Sequence, residues 1–276
     1  MRSHHAISRA VSGIRVKDLL ACAIAATRSA AGHAKRNLSR RNEVARRFKH
    51  DVKLRLDIEC QAKAEKVILS RFPEHGILGE EDTDGAGKQN ADSKFEWVID
   101  PIDGTVNFSH GLPYWCCSVA VRYAGKVVAG AVYSPVLNEL YTAAIGAPAC
   151  CNGKRIRVSR ISAVGDSLVL TGLDKSIDRG VPAYSTFERM WEHVQRGRIM
   201  GSAALDICRV AAGQADAYFE SGIYIWDVAA AGLIVRQSGG KVEATKEQAG
   251  HRMRFLATNG RIHTRMKSLL FRPAAR

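Results

Sequence analysis

The sequence predicts a mixed α/β protein, α+β in its first half and α/β in its second. Three observations carry that prediction. Apolar residues recur at helical spacing over residues 14–34, four β-rich runs occupy the middle of the chain, and strands alternate with helices after residue 156.

Taken in order, Ile14, Leu19, Ala23, Ala26 and Ala30 mark a first helix that ends near Gly32. A basic, irregular stretch follows through Lys53. A second helix is expected from Asp57 to Arg71, with Asp57 at its cap and Phe72-Pro73 ending it. A short strand then leads into Gly79-Glu80-Glu81, and the polar segment Asp82–Ser93 reads as a loop. Phe95–Ile99, Cys116–Tyr123, Lys126–Ser134 and Glu139–Ala144 read as strands, and Ala124-Gly125 makes a tight hairpin. Residues 150–156 read as a turn and a junction, dividing the chain into halves 1–153 and 154–276. Beyond it the expected order is strand 167–171, helix 185–195, strand 198–200, helix 202–212, strand 216–219, helix 226–238, strand 255–258 and helix 260–270.

Composition narrows the class. Of 276 residues, 46% are hydrophobic and 25% charged, which excludes a disordered chain, a collagen-like repeat and a coiled coil. The longest apolar runs, Leu19–Thr27 and Val228–Val235, are too short to span a bilayer, so no membrane role is expected. The formal charge is +14, and residues 1–55 hold 14 Lys and Arg against Asp18, Glu43 and Asp51. That basic arm suits nucleic acid, an acidic surface or organelle targeting. Met1–Val16 lacks the apolar core of a secretory signal and faintly resembles a transit peptide. The seven cysteines include no CxxC pair, which points to reduced thiols and a cytoplasmic location.

The chemistry concentrates in Trp97-Val98-Ile99-Asp100-Pro101-Ile102-Asp103-Gly104-Thr105. An apolar strand delivers two carboxylates onto a stiff turn, where Pro101 fixes its own φ and Gly104 frees the backbone to approach a ligand. Dense oxygen ligands suit a hard cation such as magnesium, and the N–H groups around Gly104-Thr105 suit a phosphate. Glu80-Glu81 offers a second pair of acids, and Asp227 stands at the start of an apolar helix. Alone, the first reads as a solvated loop and the second as a helix-start residue. Together, three separated segments each offer an acid, as a two-metal phosphoryl-transfer site requires.

Gly79–Glu81, Trp97–Thr105 with Asn107-Phe108, Gly201–Ala204, Ala215–Glu220 and Trp226–Gly239 closely resemble the inositol monophosphatase family. The resemblance runs in order from about residue 50 to 265. It implies a layered α-β-α-β-α sandwich of the inositol monophosphatase and fructose-1,6-bisphosphatase type, usually a homodimer. It also implies a magnesium-dependent, lithium-sensitive phosphomonoesterase with two or three Mg2+ per site. Carried over by position, Glu80, Asp100, the Ile102 carbonyl, Asp103 and Asp227 ligate the metal. Thr105 and Asp57, with Glu80 beside them, orient and deprotonate the attacking water. Gly104 and Thr105 hold the phosphate, while Gly201, Ser202, Ala203 and Glu220, with Asp103 and Asp227, face the substrate. Leu56 precedes Asp57 where the family often has threonine, a departure that touches the water-activating position.

The implied substrate is myo-inositol 1-phosphate or a similar polyol phosphate. Histidinol phosphate, fructose 1,6-bisphosphate and adenosine 3′,5′-bisphosphate are the alternatives within the same chemistry. A different class of role, binding RNA or the transcription machinery through the basic N-terminal region, stays open, although no aromatic platform accompanies those residues.

Overall fold

The computed structural model describes residues 13–47, 52–84, 90, 93–172, 182–245 and 251–270. The transit-like segment 1–12 and most of the Asp82–Ser93 loop beyond Asp84 lie outside them. Five layers stack. Helices α1 (Val16–Arg36) and α2 (Arg55–Leu69) cover one face of a seven-stranded sheet. That sheet runs in chain order from β3 to β9: Gly76–Gly79, Phe95–Asp103, Cys116–Tyr123, Lys126–Ser134, Glu139–Ala144, Cys150–Cys151 and Lys154–Arg155. On its other face lie α5 (Ala203–Ala211) and α6 (Ile225–Gln237). These two also cover a five-stranded sheet of β10 (Leu168–Thr171), β11 (Arg196–Arg198), β12 (Ala217–Tyr224), β13 (Lys241–Ala244) and β14 (Arg252–Thr258), in the order β11-β10-β12-β14-β13. The outer layer is α4 (Pro182–His193) with α7 (His263–Leu270). The expected α-β-α-β-α sandwich is the observed one.

Its layering follows from side-chain size. The alanine stripe of α1, from Ala23 through Ala34, is wholly buried and lets that helix lie close to α2 and the sheet. Helix α6 is buried on nearly every side, as a helix between two sheets must be. Its backbone comes so near β6 that a Cβ on Gly130 would sit 2.9 Å from the Ala230 Cα. Strand β5 is correspondingly buried on both faces over Cys116–Val121. Ala124 and Gly125 turn the β5–β6 hairpin with φ of 47° and 77°, the geometry of a primed turn.

Several expectations are corrected. The stretch read as irregular forms a hairpin of β1 (Val44–Arg47) and β2 (Val52–Leu54), two short basic strands. Residues 150–156 add β8 and β9 to the first sheet around a left-handed Asn152-Gly153 turn. The strand expected at 198–200 lies at Arg196–Arg198, and β13 was not foreseen. Among the described residues of the basic first fifth, charges are engaged with the body: Arg40 pairs with Glu43 and Glu59, Lys53 with Glu81, and Lys35 with the Pro135 carbonyl. No helix among the described residues is long and apolar enough to cross a membrane.

One buried histidine makes a stability prediction. His75 is stacked between Phe72 and Phe95, and its Nδ1 accepts the Trp97 Nε1 proton at 3.0 Å. Burial lowers its pKa from 6.5 to about 4. Between those values the unfolded chain binds the extra proton and the native one does not, so stability falls as pH falls through that window. The loss should approach about 3 kcal/mol below pH 4, read as the urea midpoint against pH. His75→Gln, which keeps an acceptor for Trp97, should flatten the profile; an unchanged profile would acquit His75.

Candidate active site

In a regular strand, residues three apart point to opposite faces. Asp100 and Asp103 are three apart in β4, yet they serve one site. The reason is a bulge: Asp100 pairs with Ser118 and Asp103 with Cys116, so three steps on β4 oppose two on β5. Pro101, which has no N–H to give the ladder, lies inside the bulge. The extra residue brings both carboxylates to the same side.

Two other elements aim acids at the same place. Strand β3 pairs in parallel with β4, Gly79 opposite Ile99, so Glu80 at its end lies beside Asp100. The two carboxyls are hydrogen-bonded to each other. Asp227 is the third residue of α6, and its Oδ2 accepts the Tyr224 N–H at 2.9 Å. Asp100, Asp103 and Asp227 each present an oxygen within 4.8 Å of the others. Burial, then Glu80, Asp103 and Asp227, raises the Asp100 pKa well above the usual carboxylate value. Burial and the Glu80 charge do the same to Asp227. Asp100 Oδ1 is buried and has no hydrogen-bond partner among the described residues. Clustered acids and an orphaned carboxylate oxygen form a donor set that fits a hard divalent cation.

Asp103 has a second task. Its oxygens accept from Ser202 Oγ at 2.6 Å, Ala203 N at 3.1 Å and Ala204 N at 2.7 Å, and the Cys116 thiol donates at 3.5 Å. The carboxylate therefore caps α5 from the other half of the chain and meets the positive end of its dipole. Burial raises its pKa while these donors oppose the rise. Ser202 and Ala203 thus meet the cluster through Asp103.

The turn after Asp103 is set by packing. Gly104 has φ 94°, and a Cβ there would stand 3.0 Å from the Gly201 carbonyl and 3.1 Å from the Tyr114 carbonyl. A short helix, α3 (Thr105–His110), follows that turn and is ended by Gly111 at φ 78°. Thr105 opens it, and its Oγ1 donates to the Ile102 carbonyl at 3.0 Å. Asn107 Nδ2 donates to the carbonyls of Tyr114 and Met200, tying α3 to the loop that holds Gly201.

Asp57 helps to cap α2, but as its third residue and not as the N-cap. That helix begins two residues earlier, and Asp57 Oδ2 accepts the Leu54 N–H at 2.7 Å, the arrangement Asp227 has in α6. Strand β2, which leads directly into α2, packs against α3. Glu220, on β12, accepts the Tyr218 hydroxyl and lies against Gly172, where a side chain would have no room. Its charge acts on Asp227 and on the buried Asp206. Three residues here were not singled out from the sequence. Cys116, the first residue of β5 and wholly buried, is the register partner of Asp103. Tyr114 donates to Asp206 at 2.7 Å across 92 positions, a contact without local signal. Burial first raises the Asp206 pKa, to about 8.

Known proteins share this architecture. The sequence profile of the inositol monophosphatase family matches residues 15–272. A "Nus factor SuhB" of Pasteurella multocida is 38% identical over 82% of this chain and 85% of its own. An "Inositol-1-monophosphatase" of Synechocystis sp. is 36% identical over 80% and 77%. The inositol monophosphatase structure from Anabaena (Nostoc) sp. superposes with a TM-score of 0.80 at 34% identity, covering 92% of this chain and 95% of that one. The extragenic suppressor protein suhB of Bartonella henselae gives 0.83 at 29% identity, covering 92% and 99%. The chain belongs to the inositol monophosphatase family, a family of metal-dependent phosphoric monoester hydrolases.

Proposed function

We propose that the protein is a magnesium-dependent phosphomonoesterase acting on myo-inositol 1-phosphate or a similar polyol phosphate. The convergence of Glu80, Asp100, Asp103 and Asp227 beside the Gly104-Thr105 turn carries this reading. Those four acids and the Ile102 carbonyl would hold two or three Mg2+. When bound, the cations lower the pKa of a water and neutralise charge on the phosphoryl and leaving oxygens. Thr105 and Asp57 would together orient the attacking water and help to remove its proton, with Glu80 beside it. The N–H groups of Gly104 and Thr105 hold the phosphoryl oxygens. Gly201, Ser202, Ala203 and Glu220 face the polyol end, and Asp103 and Asp227 border both. Lithium inhibition follows from the family.

Glu220 is the probe of substrate. Its carboxylate accepts from hydroxyls and repels phosphate, so it serves the alcohol end. A charged hydrogen bond is typically worth about 1.5–3 kcal/mol, or roughly 10- to 150-fold. Glu220→Gln should lower kcat/KM for inositol 1-phosphate by about that factor and affect glycerol 2-phosphate much less. Equal losses on both would make Glu220 a metal or structural residue. No loss on either would favour histidinol phosphate, fructose 1,6-bisphosphate or adenosine 3′,5′-bisphosphate, which a phosphate-release panel compares directly.

The Nus factor names of several relatives favour a second reading, a role in binding RNA or the transcription machinery through the basic N-terminal region. Filter binding across salt tests its RNA arm. Steep loss of binding between 50 and 200 mM salt supports it, and no binding at low salt removes it.

A further inference from the structure

The turn that carries Glu80 is tethered to one side chain on α2 at two of its four leading residues, Glu81 and Asp82, and Gly79 is tied in through Asp82. Gln61 is 4% exposed. Its Nε2 donates to Asp82 Oδ1 at 2.8 Å and to Glu65 Oε1 at 2.9 Å, while its Oε1 accepts the Glu81 N–H at 2.9 Å. Asp82 Oδ2 in turn accepts the Gly79 N–H at 2.9 Å. Gly79 lies so close to the Gln61 amide that any side chain there would displace it. Lys53 closes the outer side, its Nζ reaching the Glu81 carbonyl at 3.0 Å and the Glu81 carboxylate at 2.6 Å. Gly79, Glu81 and Asp82 are therefore fixed, and Glu80 is the residue left pointing at Asp100.

We propose that Gln61 is a positioning residue for the cation site, acting through the Gly79–Asp82 turn that aims Glu80. This rests on the reading of Glu80 as a cation ligand. The chemistry of the amide explains why this residue type is needed. It donates to two carboxylates and accepts from a backbone N–H at once. An aliphatic group of the same length does neither, and a carboxylate at position 61 would face Glu65 and Asp82 with like charge. Groups that orient metal ligands typically cost about 10- to 100-fold in metal affinity or activity when lost; a group that only positions Glu80 acts on affinity and leaves turnover of the saturated site nearly unchanged.

The test is a Mg2+ titration of the full chain, read as the cation-induced rise in melting temperature and, in parallel, as phosphate release. Gln61→Met keeps the volume and removes every hydrogen bond. Its half-saturating Mg2+ concentration should rise about 10- to 100-fold while kcat at saturation stays within about threefold. Gln61→Glu keeps the acceptor for the Glu81 N–H and should fall between the two. Unchanged half-saturation in Gln61→Met overturns the proposal, as does a fallen kcat with unchanged half-saturation. Should Gln61→Met fail to fold, Asp82→Asn removes one acceptor at the half-exposed end of the clamp and should raise half-saturation by roughly three- to tenfold. No rise there overturns it equally. A wild-type protein whose melting temperature ignores Mg2+ would instead remove the cation site itself, and the role of Gln61 with it.

Discussion

Stripping divalent cations is expected to abolish phosphate release and to lower the melting temperature by roughly 5–10 °C, both restored by added Mg2+. The cause lies in the cluster of acids. Asp100 and Asp103 are 1% and 7% exposed, and Asp100 has Glu80, Asp103 and Asp227 as its main charged neighbours. Like charges held together away from water cost several kcal/mol unless a cation or protons compensate. A cation present at a hundred times its Kd contributes about 2.7 kcal/mol to the native state. For a chain of this size each kcal/mol moves the melting temperature by about 2–4 °C. Turnover should vanish because no other electrophile faces the Gly104-Thr105 turn among the side chains that carry the reading above. Full activity in a sample shown to be metal-free by elemental analysis would end the metal-dependent mechanism.

The sequence made the layers legible where a single element decides its own environment. The alanine stripe of α1, the Ala124-Gly125 hairpin and the alternation after residue 156 each report local geometry. The acids were legible too, because strand ends and helix starts advertise themselves by an apolar run beside a carboxylate. What stayed hidden depends on pairing. The spacing of Asp100 and Asp103 gives no reason for them to share a face, and only the register against Ser118 and Cys116 supplies it. Pro101 was the available hint, since a proline inside a strand marks a bulge or an edge.

Long-range partners were equally invisible. Nothing near Asp103 signals that it caps a helix beginning 100 positions later, nor does anything near Tyr114 point to Asp206. The hairpin β1–β2 escaped because Val44–Arg47 carries no alternation and Val52-Lys53-Leu54, which does alternate, is too short to stand out. Gln61 did leave a trace. It falls on the buried face of α2 with Asp57, Cys60 and Ala64, where a lone amide must find partners. That pattern identifies a buried polar residue but not what it holds.

Asp103→Asn separates the two tasks of that residue. The substitution keeps volume and should lower kcat at least about a thousandfold, more than about 4 kcal/mol of transition-state stabilisation. The larger part comes from the lost ligand charge between cation and substrate. A smaller part comes from α5. An aspartate offers acceptors to Ser202 Oγ, Ala203 N and Ala204 N together, whereas an asparagine amide turns an N–H2 toward one of those donors. Losing part of a helix cap costs about 1–2 kcal/mol, so the variant should fold with a modestly lower urea midpoint. Ser202→Ala provides the comparison, since it removes one donor and leaves the charge; its turnover should fall no more than about tenfold. If Ser202→Ala loses as much turnover as Asp103→Asn, then Asp103 matters by docking α5 and not by holding a cation. Near-normal turnover in Asp103→Asn itself would take the residue out of the site altogether.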